Sequence, residues 1–373
     1  MTEKPLRICL IATEFPGFGP YGGFGVLTRD IALGLAARGL EVFIAMPKKN
    51  DQKPVERVDG LTILSYPTQL YVGLRQAIPF AGLYKMIDAD IYHSQEPSLG
   101  TALAQISAPN KKHVVTFQDP RTIEDWRKQW APHEMSKWSE LKFLLRYRYE
   151  SGRAACRADA RYCQAKYIVG KAKAIYRLTE DPGFLPNPVR LSEIRNPKAL
   201  HPTVCFIGRW DAIKRPELFL ELASRFPAVR FILVGDCLND AIRGDQIRQR
   251  CRGLKNVEAP GWLDVPDRDA ILDASWVMVN TSTKECLPVS YLEAGAHKCA
   301  ILSHGNADDF ASSFGFWAER GDLEDYSQGL TFLLENTRWI TMGEKAYDYV
   351  RQTHEYERVI DQHLHVYRQV LEA

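Results

Sequence analysis

The chain has 373 residues, is 45% hydrophobic and 25% charged, and carries a formal net charge of +2. That is enough for two or three domains with sizeable cores, and it argues against a disordered chain or a nucleic-acid binder. Eight cysteines form no CxxC pair and read as reduced thiols of a cytosolic protein, and no apolar run suits a signal peptide or the roughly 18 residues of a membrane span.

Along the chain, short apolar runs alternate with helical patterns. Arg7–Ala12 reads as a strand, followed by a Gly-rich loop and a helix from about Gly25 to Arg38 that Gly39 closes. Glu41–Ala45, Asp90–His93 and His113–Phe117 read as further strands. A segment with five prolines, residues 181–202, interrupts the rhythm and reads as a linker. A second series follows, with strands Val204–Gly208, Arg230–Val234, Trp276–Asn280 and Ala300–Ser303 and helices over 216–226, 239–252, 266–275 and 288–297. Pro216 and Pro288 are expected at the first helical position, where a missing N–H costs nothing. Residues 357–372 form a last amphipathic helix. Continuous apolar strands between helices imply parallel sheets covered on both faces, with ligands beyond the carboxyl ends of the strands. Charge divides as well: residues 1–187 carry 26 basic and 19 acidic side chains, the remainder 22 and 27.

Four features carry chemistry. The run Gly17–Gly22 is a literal GxGxxG after a strand, with Glu41 downstream. The turn is too long for a dinucleotide fingerprint, and Glu41 opens its strand where the ribose-binding acid should stand at the far end. Gly22, Gly23 and Gly25 directly precede the helix, where backbone without Cβ lets an anion approach the N–H groups. A plain Gly-rich turn is the simpler alternative.

Arg209 and Lys214 lie between a strand end and a helix start, a placement that suits a diphosphate as well as solvated surface charge. Glu285 and Glu293 bracket the start of a helix that is otherwise small and apolar. A carboxylate in that setting needs a hydroxyl or cation partner, and vicinal ribose hydroxyls fit one. Finally, residues 126–149 interleave cations with Trp126, Trp130, Trp138 and Phe143. This suits an anionic or glycan acceptor or an anionic membrane surface, or equally a packed helical excursion with outward cations.

Gly22-Gly23-Phe24-Gly25, Gly208-Arg209 with Lys214, Val234-Gly235-Asp236, the acid–seven–acid spacing Glu285…Glu293, and the tail Glu357-Arg358-Val359…Tyr367 occur in this order over nearly the whole chain. With them the sequence resembles the retaining glycosyltransferases of the large family-four group (glycosyl transferases group 1). The resemblance implies an α/β GT-B fold of two doubly wound Rossmann-like domains facing across a cleft. It implies an acceptor-side domain over 1–187, on which a helix of about 356–373 packs back, a linker over 188–202, and a nucleotide-sugar domain over 203–355.

It further implies transfer of a hexose-type sugar with retention from a nucleoside-diphosphate donor, UDP or GDP, with no cofactor and no metal. Gly22 and Gly23 would meet the donor phosphate, and Arg209 and Lys214 the diphosphate. Glu285 would bind the sugar hydroxyls and Glu293 the ribose. Trp262 and Leu263 would lie against the base, with Leu287 and Val289 as further donor contacts. The acceptor, a glycan, a lipid-linked sugar or a small molecule, would meet Gln95, Gln118 and Asp119. At Gln95 and Gln118 the family's usual histidines are replaced by side chains that cannot titrate. A transfer in which the departing phosphate oxygen takes the acceptor's proton survives that loss. The expected location is the cytoplasm, with the inner face of a membrane as a candidate peripheral site. A sugar-nucleotide epimerase and a non-catalytic nucleotide-sugar-binding protein remain the alternatives.

Overall fold

The computed structural model describes the chain except residues 1–3, 20, 49–51, 67–81, 131–135, 148–150, 192–195 and 238–239. Parts of the expected GxGxxG run, the linker, the 239–252 helix and the 126–149 segment lie outside the described residues. Two compact units emerge, Met1–Pro188 with Glu357–Ala373, and Val189–Tyr356.

In the first unit the described strands are β1 (Arg7–Ile11), β2 (Glu41–Pro47), β3 (Val55–Val58), β4 (Leu61–Tyr66), β5 (Ile91–Ser94), β6 (Lys112–Phe117), β7 (Ala160–Cys163) and β8 (Gly183–Phe184). They form one sheet in the order β3-β4-β2-β1-β5-β6-β7-β8. Successive residues of β1, β2, β5 and β6 are buried, as expected of parallel strands covered on both faces. Cys9, Ile11, Phe43, Ala45, Tyr92 and Leu103 share one core. The chain runs from β1 outward through β2 and β4, then returns to β5 and continues through β6 and β7. The topological switch therefore lies between β1 and β5, and a ligand site is expected beyond their carboxyl ends.

The antiparallel hairpin of β3 and β4 was not anticipated. Its turn is Asp59-Gly60, both at positive φ (53° and 80°), the Asp-Gly signal of a tight hairpin. The first helix, Gly23–Ala37, starts two residues earlier than the pattern suggests. It ends as expected, with Gly39 at φ 85° just past the cap. In the last helix, Tyr356–Glu372, Tyr367 reaches β5, and Arg38 of the first helix holds Glu357 at 2.8 Å and Asp361 at 2.6 Å.

The second unit is built on β9 (Thr203–Ile207), β10 (Arg230–Val234), β11 (Val257–Gly261), β12 (Val277–Asn280), β13 (Ala300–Ser303) and β14 (Gly315–Trp317), in the order β11-β10-β9-β12-β13-β14. All recorded pairings there are parallel. The switch falls between β9 and β12. Pro216 opens its helix, Pro216–Arg225, as expected. Pro288 stands one residue outside its helix, Val289–Ala296, as an extended N-cap at φ −74° and ψ 142°. The cap position needs no intrahelical N–H either, so proline fits both places.

None of the eight cysteines forms a disulfide. Among the described residues no helix is long and apolar enough to cross a membrane.

Candidate active site

Beyond β9 and β12, two loops of the second unit are laced together. Their foundation is a glycine pair. Gly235, at φ 129°, passes so close to Gly208 that a Cβ on Gly235 would lie 1.9 Å from the Gly208 carbonyl oxygen. The fully buried Trp210 anchors the loop that follows β9, its backbone N–H donating to the Asp236 carbonyl at 2.9 Å. Farther on, the Thr281 hydroxyl donates to the carbonyls of Lys214 and Arg215 at 2.6 and 2.8 Å. Thr283 N–H donates to the Ile213 carbonyl at 2.9 Å. Arg215, itself at φ 47°, donates to the carbonyls of Thr281 and Gly321 at 2.6 and 2.9 Å.

This lacing seats the Lys214 ammonium directly on Oε1 of Glu285. The same oxygen accepts from the Ser282 hydroxyl at 2.7 Å and from Asn280 Nδ2 at 3.2 Å. Glu285 and Lys214 keep only 11% and 24% of their side-chain surface in water, so their charges interact with little screening. Arg209 lies farther out, 43% exposed, with one guanidinium nitrogen 3.0 Å from Asp211. At this strand end the carboxylate can accept from hydroxyls, while the cations, Lys214 beside it and Arg209 farther out, can take a diphosphate.

Glu293 has a cation partner that the sequence reading missed. Arg268, in helix Val265–Ala274, meets it at 2.8 Å. Only the rule that a buried carboxylate needs a partner pointed toward such a residue, and nothing in the spacing singles out Arg268. Leu287 is buried and Val289 partly so. Trp262 follows Gly261 at the end of β11 and is 48% exposed, and Leu263 beside it is partly buried.

In the first unit, the start of helix Gly23–Ala37 already holds an anion. Oε1 of Glu14 accepts from the N–H groups of Gly22 and Gly25, both at 3.0 Å. The seat expected for a donor phosphate at Gly22 and Gly23 thus carries the chain's own carboxylate. Across the switch, Gln95 is 2% exposed and its Nε2 has no hydrogen-bond partner among the described residues. It lines a cavity of about 10 Å³ with Thr13, Glu14, Phe24, Thr28 and Glu96.

Gln118 has a different place from the one expected. Its amide is paired with Asn187 in both directions, each at 2.9 Å, so it holds the loop and does not present that amide to an acceptor. Asp119 is salt-bridged to Arg121 at 2.6 Å. Both residues hang on Glu96, another residue given no role in advance. Its Oε2 accepts the N–H groups of Gln118 and Asp119 at 2.7 and 2.9 Å, and Oε1 accepts from the Tyr176 hydroxyl at 3.2 Å. Burial pushes the Glu96 carboxyl up to about 7, against the pull of those N–H groups.

His93 is a satisfied core histidine, with Tyr367 on Nδ1 and Thr116 on Nε2, both at 2.8 Å. Burial, and then its neighbour His363, holds it well below the ordinary histidine range.

Within 126–149, Trp126 packs edge-on against Phe143 at 4.9 Å and beneath the Arg121 guanidinium at 4.7 Å, as a packed excursion would. Trp138 and Leu145 nevertheless face solvent. Among the described residues no group of three or more His, Cys, Asp or Glu gathers to hold a metal ion.

Residues 21–193 match the family model described as Glycosyltransferase Family 4, and residues 201–336 match that of Glycosyl transferases group 1. No curated protein matches the chain significantly. Among solved structures, sucrose-phosphate synthase of Thermosynechococcus elongatus is similar at 17% identity and TM-score 0.75, over 98% of this chain and 99% of that one. Anabaena HepE, in complex with UDP and glucose, is similar at 14% identity and TM-score 0.72, over 98% and 100%. The catalytic domain of Arabidopsis thaliana starch synthase IV, bound to ADP and acarbose, is similar at 12% identity and TM-score 0.66, over 99% and 100%. The two parallel-sheet units are those of the GT-B glycosyltransferase fold. The family models cover most of the sequence between them, and the chain belongs to the group 1 glycosyltransferases.

Proposed function

We propose that this glycosyltransferase moves a hexose-type sugar from a UDP or GDP donor to an acceptor hydroxyl, with retention and without a divalent metal. The seat of Lys214 on Glu285 at the switch point of the second sheet carries this reading. Glu285 takes the sugar hydroxyls, while Lys214 and Arg209 neutralise the diphosphate as its bond to the sugar breaks. Fixed cations at that position do the electrostatic work a metal does elsewhere. Glu293 takes the ribose, and Trp262 offers a face to the base. The C1–O bond to the diphosphate breaks as the acceptor oxygen bonds C1 on the same face, and the acceptor's proton goes to the departing phosphate oxygen. The UDP and glucose held by HepE support a uridine donor.

On the acceptor side, Gln95 offers a buried donor that lacks a partner among the described residues, and Asp119 offers a carboxylate positioned by Glu96 and Arg121. A glycan, a lipid-linked sugar or a small molecule would meet them there. The exposed cations Arg127 and Lys137 favour work at the anionic cytoplasmic face of a membrane.

A thermal-shift screen across UDP-, GDP- and ADP-sugars tests the donor. A ligand at 100 times its dissociation constant adds about 2.7 kcal/mol, so one base should stand out. Proton NMR of the product then reads the anomeric configuration. An inverted product ends the retaining assignment, and an epimerised donor without transfer ends the transferase one.

A further inference from the structure

The first unit holds a second cavity, of about 660 Å³, lined by helices Ile123–Trp130 and Lys137–Tyr147 and by residues within 152–157 and 174–177. That is the size of a ligand pocket. Its floor is apolar: Ile123, Trp126, Leu141, Leu144, Leu145 and Ile175 line it. Leu141, Leu144 and Leu145 stand at helical spacings of three and four on helix Lys137–Tyr147, so one face of that helix supplies half the floor. Several of these side chains meet water: Ile123 is 48% exposed, Leu141 46% and Leu145 61%.

The wall carries four arginines, Arg121, Arg153, Arg157 and Arg177. Among the described residues neither Arg157 nor Arg177 takes part in an ion pair. A sugar does not suit this lining, because an apolar floor leaves its hydroxyls without partners. An apolar chain with an anionic head suits both parts, the chain displacing water from the floor and the head taking the guanidiniums.

The cavity is also wired to the residues assigned above to the acceptor. Arg121 in its wall holds Asp119 at 2.6 Å. Tyr176, also in its wall, donates to Glu96, which fixes the backbone of Gln118 and Asp119.

We propose that this cavity holds the apolar chain of an anionic, lipid-linked acceptor, with the phosphate or carboxylate at its head on the arginine wall. The assignment of the acceptor rests on the transferase reading, whereas the affinity for an anionic amphiphile does not.

Calorimetric titration of the full chain with octyl, decyl and dodecyl phosphate, each below its micellar concentration, tests it without any donor. Affinity should rise about fourfold per added methylene, and dodecyl phosphate should bind at least tenfold tighter than dodecyl maltoside. Ala174→Trp, which fills the cavity from its exposed wall, and Leu145→Glu, which charges its floor, should each cost tenfold or more while nucleotide binding stays unchanged. Arg157→Gln combined with Arg177→Gln should erase most of the preference for phosphate.

Affinity independent of chain length overturns the proposal, as does full affinity in both folded cavity variants. Adhesion to phosphatidylglycerol vesicles without binding of monomeric dodecyl phosphate also overturns it, in favour of a membrane-surface patch. Transfer to a water-soluble sugar with no affinity for amphiphiles would retain the transferase and reject the cavity. Amphiphile binding without any transfer would retain the cavity and reject the transferase mechanism.

Discussion

Arg268 holds Glu293 at 2.8 Å and so ties the helix that follows β11 to the helix that follows β12. Both side chains are mostly buried, at 20% and 15% exposure. Their separation should therefore cost stability, about 1–3 kcal/mol, less than for a fully buried pair. The two variants are expected to differ toward ligand. Glu293→Ala should weaken the free nucleoside diphosphate by roughly 1.5–3 kcal/mol, whereas Arg268→Ala should lower the melting temperature and leave that affinity nearly unchanged. Calorimetry on both, beside thermal unfolding, checks this. Equal losses of affinity would place Arg268 on the nucleotide.

Glu285→Gln should behave otherwise. It keeps the shape of the seat on Lys214, Ser282 and Asn280 but removes the charge. Turnover should fall about a hundredfold or more, while the dissociation constant of the bare nucleotide stays within about twofold. A matching loss in nucleotide affinity would move Glu285 off the sugar.

Arg209→Ala and Lys214→Ala should each lower kcat by about two to three orders of magnitude, the scale of one preorganised contact on developing charge. Added Mg²⁺ should not restore either variant. The unmodified protein should keep its activity in EDTA, and its loss there would sink the metal-free mechanism.

The parallel strands and the cationic loop after β9 were legible because their signals are local: continuous apolar runs, proline and glycine at element ends, and acids at fixed spacing; the two switch points follow only from the strand order. The β3–β4 hairpin was missed: Asp59-Gly60 marks its turn, but Val55–Val58 buries no residue that would make it stand out as a strand. Glu96, Arg268 and Glu14 were not legible, since each acquires its role from a partner on another element or beyond a loop. Arg268 is 25 positions from Glu293, and Glu14 meets Gly22 and Gly25 only because the loop between them folds back. Gln118 shows the opposite failure: its place in a motif suggested contact with a ligand, and the amide of Asn187 takes that capacity instead.

Acid should loosen the first unit through two buried histidines. His363, with its Nδ1 on the Val359 carbonyl at 2.9 Å, is held down to about 4 by burial, and His93 is lowered as well. The unfolded chain binds these protons near pH 6.5 and the folded one does not, so stability is complete above pH 6.5 and is lost as pH falls toward 4. His363 alone accounts for about 3 kcal/mol over that window. Urea unfolding at pH 7.5, 5.5 and 4.5 should show the decline, and His363→Gln should flatten its share of it. An unchanged slope in that variant would assign the acid sensitivity elsewhere.

The approach of Gly235 to Gly208 makes the loop after β9 depend on the absence of a methyl group. One carbon on Gly235 would displace the Gly208 carbonyl, and with it the backbone that carries Arg209. A residue given no role on the ligand is thereby hard to replace. Its loss would register as an active-site lesion in a protein whose titratable groups were all still present.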